Sequence, residues 1–229
     1  MWQQGRPLLS GTWRAWAWAV IAACVLVTTG LGLIFRGKEP PDHVDSVVGN
    51  AVVARFTAHP GVPLWLATPG STIPIIAASL VIAVGCLVAR RLNGALLAVT
   101  AVPVTAFACD AVLKHVFGRA SLGFLSYPSG HTASAMAVTT VLAVLLHDQA
   151  RPGAARVAGA VLVALACAVT VIVAVGVIAL RWHYLTDTVG GAALGTGTVL
   201  TLALLIDLAF ARLPGRRRES RSASQPLRA

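Results

Sequence analysis

The sequence predicts an all-α integral membrane protein of six transmembrane helices, with its polar chemistry gathered on the extracytoplasmic side. Three observations carry this. Of 229 residues, 57% are hydrophobic and 11% charged, with a mean hydropathy of +0.79; soluble domains carry roughly 25% charge. The apolar residues fall into six runs of membrane-crossing scale. The basic residues are also distributed asymmetrically around those runs. With the N-terminus inside, Arg6, Arg14, Arg90, Arg91, Arg151, Arg156 and the six arginines from Arg212 onward face the cytoplasm, twelve of the eighteen Lys and Arg. That is the positive-inside pattern.

Residues 1–14 form a short basic cytoplasmic N-terminus. The first span, residues 15–35, begins among Trp13, Trp16 and Trp18, which suit an interfacial belt. Ile21-Ala22-Ala23-Cys24 resembles a lipoprotein-processing box, but the apolar run continues to Phe35 and reads as an uncleaved helix. Residues 36–71 form an extracytoplasmic loop punctuated by five prolines. Within it, residues 45–56 have helical apolar spacing and could lie along the membrane surface. His43 and His59 read as solvated loop residues. The second and third spans are residues 73–89, closed by Arg90-Arg91, and 94–113, carrying Pro103 and Asp110. The fourth is 133–146, the fifth 157–180 and the sixth 189–210. Together residues 15–211 make one membrane domain, and the Arg- and Ser-rich residues 212–229 read as a disordered cytoplasmic tail.

Composition also excludes several classes. The net charge of +10 sits in short loops and the tail, without a basic face of interleaved aromatics. It reads as topology and anionic-lipid contact, with no nucleic-acid partner. Cys24, Cys86, Cys109 and Cys167 lie inside apolar runs and suit small core residues. A transporter would show paired broken helices at mid-membrane depth, whereas here the polar groups gather at one face.

The stretch with the clearest chemistry is Tyr127-Pro128-Ser129-Gly130-His131-Thr132, directly before an apolar run. Ser129 is a natural helix N-cap, and a helix opening there turns free N–H groups and a positive dipole end toward an anion. His131 then stands in the first turn, able to give a proton to a departing oxygen. The topology brings the end of span three (Lys114, Arg119) and the turn between spans five and six (Arg181, His183, Asp187) to the same membrane side. Cations, a helix N-terminus, two histidines and a carboxylate sharing one pocket suit phosphoryl transfer: cations hold phosphate oxygens, one histidine attacks phosphorus, the other protonates the leaving oxygen. Asp187, four residues beyond His183, is placed to orient that imidazole. Asp110 lies one helical turn before Lys114, which predicts an ion pair. Asp207 lies near Arg212 at the inner boundary and reads as structural.

On these residues the chain resembles the type 2 phosphatidic-acid phosphatase superfamily of membrane lipid phosphatases. Pro128-Ser129-Gly130-His131 matches the family's second motif, His183 followed after three residues by Asp187 matches the end of its third, and Lys114 begins its first. The resemblance implies a nucleophilic His183 that forms a phosphohistidine, Asp187 as its partner and His131 as general acid. It also implies that Lys114, Ser129 and Gly130 hold the phosphate, without a metal or other cofactor. The substrate would be a lipid phosphate or pyrophosphate, phosphatidate-like or polyprenyl, met at the plasma membrane.

The chain departs from the pattern at two places. Ser121-Leu122 stands where the first motif has Arg-Pro, and Gly176-Val177 where the third has Ser-Arg. Arg119 and Arg181 are the candidate replacements in the phosphate clamp; on a continuous helix Arg181 would lie one turn beyond Val177. The missing arginines leave an alternative open: a phosphotransferase, or a catalytically weak relative that binds lipid phosphate.

Overall fold

The computed structural model describes residues 7–39, 41–147 and 153–212. The expectation of a disordered tail concerns residues outside these, apart from Arg212, which ends the last helix. Among the described residues the chain is helical but for one two-stranded hairpin. In order come α1 (Thr12–Ile34), α2 (His43–Arg55), α3 (Val62–Ala67) with a 3₁₀ turn at Thr68–Gly70, α4 (Thr72–Val88) and α5 (Leu92–Ala106). A π-helical stretch, Phe107–Leu113, then leads into α6 (Lys114–Phe117), β1 (Ala120–Ser121), β2 (Phe124–Leu125), α7 (Gly130–Leu146), α8 (Gly153–Ala179) and α9 (Leu185–Arg212).

Four helical stretches are long and apolar enough to cross a membrane: α1, Leu92–Phe117, α8 and α9. A fifth is reached if Val62–Gly70 and Thr72–Val88, which meet at a 40° bend, count as one span. The protein is thus an all-α multi-pass membrane protein. The remaining expected span corresponds to α7, apolar but only 17 residues long.

The helix ends follow from their local chemistry. Ser129 caps α7, its hydroxyl accepting from the Thr132 N–H, and the Arg91 guanidinium reaches the Leu145 carbonyl at the opposite end. Gly118, at φ 61°, ends α6 in the left-handed conformation that glycine adopts most easily. Asp42 caps α2 by accepting from the Asp45 N–H at 2.7 Å.

The core is built around α7, which packs against α5, α8 and α9, while α9 also packs against α1. Small residues make this possible. A Cβ on Gly191 would run into the Ser129 carbonyl, and one on Gly195 into the Ala133 carbonyl, so α9 meets the α7 backbone directly. This spacing of small residues is how membrane helices gain close van der Waals contact. Asp207 accepts from the Leu8 and Leu9 N–H groups at 2.7 and 2.9 Å, fastening the N-terminal segment to α9.

Several expectations need correction. Within the loop expected over residues 36–71, residues 62–70 form α3 and its 3₁₀ turn, because Pro63 sits in the first helical turn, where its missing N–H costs nothing. The surface helix expected at 45–56 exists as α2, yet Asp45 is buried against the site. The third span carries Pro103 as expected, but it runs past 113, through the π-helical stretch to Phe117. Helix α8 stops at Ala179, and Arg181, at φ 57°, lies in a turn and not on a continuing helix. Helix α9 starts four residues before the expected 189, so Asp187 belongs to its first turn.

Candidate active site

His183 is positioned by the turn between α8 and α9. The Trp182 and His183 N–H groups both bond the Val177 carbonyl, folding the chain back over the end of α8. Asp187, in the first turn of α9, accepts from the Tyr184 N–H at 3.0 Å, the reach of a capping-box carboxylate to its cap residue. The same Oδ2 lies 3.7 Å from His183 Nδ1. That distance is beyond hydrogen-bonding range, and Nδ1 is buried without another partner. Catalytic contacts are often this loose before substrate arrives. Nδ1 is therefore the ring nitrogen turned toward Asp187.

A cavity of about 700 Å³ opens beside these residues. Lys114, Asp110, Gly130, His131, Trp182 and His183 form its polar end, and Ile75, Ile76, Val102, Pro103 and Ala106 from α4 and α5 its apolar wall. The hairpin adds Ser121, Leu122, Phe124 and Leu125, with Leu122 and Gly123 both at positive φ in the tight turn. Because Gly130 and His131 open α7, the positive end of that helix lies at the cavity wall. The His131 ring stands 5.7 Å from the Trp182 ring. Lys114 pairs with Asp110 at 2.7 Å, the ion pair that the spacing predicted. A smaller recess of about 210 Å³ shares Ser121, Leu122 and His183 with the first and is also lined by Asn50, Arg181 and Tyr184.

The structure thus brings His183, His131, Asp187, Lys114 and Gly130 together. Three other candidates lie apart from the main cavity. Ser129 is buried; its N–H bonds the Asp187 carbonyl at 3.0 Å and its hydroxyl is engaged with Thr132. Arg181 lines the smaller recess, exposed, with its Nη2 donating to Asn50 at 3.3 Å. Arg119 is 0% exposed; both its Nη atoms are bonded to protein partners, while Nε is buried without one. Nη1 donates to Asp187 Oδ1 at 2.7 Å and Thr186 Oγ1 at 2.6 Å, and Nη2 to Asp45 Oδ2 at 2.6 Å. Its plane is flanked by the rings of Phe35 and Tyr184, 4.1 and 4.5 Å away. Lys114 is the one Lys or Arg among the described residues that lines the main cavity.

The two replaced motif positions have structural explanations. Ser121 lines the cavity and donates to the Arg181 carbonyl at 3.0 Å, so it serves the turn that carries His183. A Cβ on Gly176 would meet the Ala67 nitrogen of α3 at 2.5 Å, and Val177 is wholly buried. Helix α3 occupies the space into which a side chain at 176 would extend. Sequence reasoning missed Asp45 altogether. Its visible signal was a carboxylate three residues after the helix-capping Asp42, which reads as a helix start and nothing more.

Tyr127 ties the motif loop to α1, its hydroxyl donating to the Thr28 carbonyl at 2.6 Å. Burial first, and the Asp187 carboxylate second, push its phenol up, so it stays a neutral donor.

Comparison with known proteins bears on the fold and the family. The crystal structure of the transmembrane PAP2-type phosphatidylglycerolphosphate phosphatase from Bacillus subtilis superposes with a TM-score of 0.64. It is 18% identical, and the match covers 84% of this chain and 98% of that one, so the two share a fold. No curated protein matches the chain significantly. The PAP2 superfamily model matches residues 75–210, which include both histidines, Lys114 and Asp187. With more than half its length so matched, the chain belongs to the PAP2 superfamily of membrane phosphatases.

Proposed function

We propose that this protein hydrolyses a lipid phosphate or pyrophosphate through a phosphohistidine on His183. The supporting observation is the cavity itself: two histidines, Lys114 and the α7 N-terminus share one end of it, and an apolar wall continues from them. A phosphate at the polar end is held by Lys114 and the first N–H groups of α7, with its acyl or prenyl chain along α4 and α5. His183 Nε2 attacks phosphorus, and the bond to the lipid oxygen breaks as that oxygen takes a proton from His131. Asp187 stabilises the charged imidazole. Water, giving its proton to His131, then attacks phosphorus, the P–N bond breaks and inorganic phosphate leaves.

Six spans are reached by counting α7, whose 17 residues measure about 26 Å at 1.5 Å per residue, against a hydrocarbon core of about 30 Å. With the N-terminus inside, the site then opens outside the cytoplasm of the plasma membrane. One observation favours the alternative of a phosphotransferase or weak lipid-phosphate binder: Lys114 is shared with Asp110, and no arginine among the described residues lines the main cavity.

The deciding experiment is phosphate release by the purified protein across phosphatidate, phosphatidylglycerolphosphate and polyprenyl pyrophosphate, with His183→Ala in parallel. Turnover that His183→Ala abolishes is the expected result. Absence of turnover across the panel, with lipid phosphate still bound, favours the binding protein. EDTA is expected to leave the rate unchanged. No group of three or more His, Cys, Asp or Glu among the described residues is arranged for a metal, and both Asp45 and Asp187 are committed to Arg119. Loss with EDTA and recovery with Mg²⁺ would contradict that expectation.

A further inference from the structure

Helix α2 lies outside the residues the family model matches, yet it supplies a carboxylate to the buried cluster behind His183. Asp45 is 2% exposed and Asp187 0%. Asp45 Oδ2 accepts from Arg119 Nη2 at 2.6 Å and from the Thr186 hydroxyl at 2.7 Å, and its Oδ1 accepts from the Thr186 N–H at 3.0 Å. The Thr186 hydroxyl in turn accepts from Arg119 Nη1 at 2.6 Å. Every polar atom of the Asp45 carboxylate thus holds either Arg119 or the first turn of α9, which carries Asp187.

Arg119 paired with Asp187 alone would cancel the negative charge that Asp187 offers to His183. A second carboxylate on the same guanidinium changes this. The formal charges of Asp45, Arg119 and Asp187 together leave one negative charge, which the imidazole of His183 can balance when it becomes cationic. Both carboxylates are also held at fixed angles by a planar, pre-organised fork. Burial makes the arrangement consequential, because an ion in a dry site must be balanced locally.

We propose that Asp45 is a positioning residue for catalysis: through Arg119 and Thr186 it fixes Asp187 and keeps the cluster anionic, so that α2 completes the active site. The inference rests on His183 being the nucleophile. Asp45 borders the smaller recess but does not line the main cavity, and its effect is expected in the chemical steps and not in lipid binding.

The test uses the full chain in proteoliposomes with a lipid phosphate that the wild type turns over. Asp45→Asn, which keeps the shape and removes the charge, is expected to lower kcat about tenfold or more with KM within about threefold. Formation of 32P-labelled phosphohistidine in a single turnover should slow in parallel. Asp42→Asn, which keeps a competent helix cap, should match the wild type. In an Asp187→Asn background the further change Asp45→Asn should cost little, because its effect runs through Asp187.

Wild-type kcat in Asp45→Asn overturns the proposal. So does an equal loss with and without Asp187, or a loss explained wholly by the amount of folded protein. If Asp45→Asn fails to accumulate, Thr186→Val removes the hydroxyl that both Arg119 and Asp45 use and is held to the same outcomes. A His183→Ala protein that still turns over removes the nucleophile assignment and this inference with it. An inactive His183→Ala beside an unaffected Asp45→Asn removes the inference alone.

Discussion

In the proposed reaction His183 and His131 stand on opposite sides of one chemical step, and substitution separates them. His183→Ala is expected to abolish turnover of every substrate, because a better leaving group cannot replace a nucleophile. His131→Ala should lose lipid phosphate hydrolysis by about 10²–10⁴-fold yet recover much of it on an aryl phosphate, whose oxygen leaves without a proton. Rates on the two substrate types check this; equal losses on both would remove the general-acid role. The two arginines divide just as sharply. Arg119→Ala leaves Asp45 and Asp187 buried without their cation and is expected to destabilise the fold by about 3–5 kcal/mol, read from thermal or denaturant unfolding. Arg181→Ala removes an exposed side chain bonded to Asn50 and should cost under about 0.5 kcal/mol of stability.

At the scale of elements, α3 closes the space beside Gly176. Where the family pattern has Ser-Arg, this chain has Gly176-Val177, and α3 packs so closely there that a Cβ at 176 would meet its backbone. Val177→Arg should therefore lower the folded fraction without raising activity, because the new charge enters a closed interface. Recovered folding with higher kcat would show that the space is open. The α7–α9 contact makes a parallel case. Gly195→Leu forces a side chain into the Ala133 carbonyl and is expected to cost about 1–3 kcal/mol or more by overpacking, read from thermal unfolding in detergent. Since α7 carries His131 and α9 carries Asp187, activity should fall along with stability.

Over the whole molecule, the proposed six-span topology would place the cavity away from the cytoplasm, and the hairpin gives a handle to test it. Phe124 is exposed at the cavity mouth. In a background lacking the native cysteines, Phe124→Cys should react with a membrane-impermeant maleimide added outside intact cells. Labelling only after the cytoplasmic side is opened would reverse the topology.

The sequence by itself determined the membrane class and the family, and it singled out the candidate residues that the structure gathers around the cavity. These are properties of composition and of short contiguous motifs: Ser129-Gly130-His131 makes its own helix cap, and His183 to Asp187 spans one turn. Span limits were legible to within a few residues wherever apolar runs met arginines, and they shifted where a helix began on polar residues, as α9 does at Leu185. Tertiary structure alone decided what the long side chains do. Arg119 was legible as a cation near the motifs, but its partners Asp45 and Asp187 lie 74 and 68 residues away. A guanidinium in sequence is equally a phosphate ligand or a structural counterion, and only the packing of α2 and α9 around it selects the second. The same holds at Gly176, where the missing motif residue is an absence in the sequence and, in three dimensions, the presence of α3. Local chemistry is written in neighbouring residues; the balance of buried charge is settled only when distant helices close on one another.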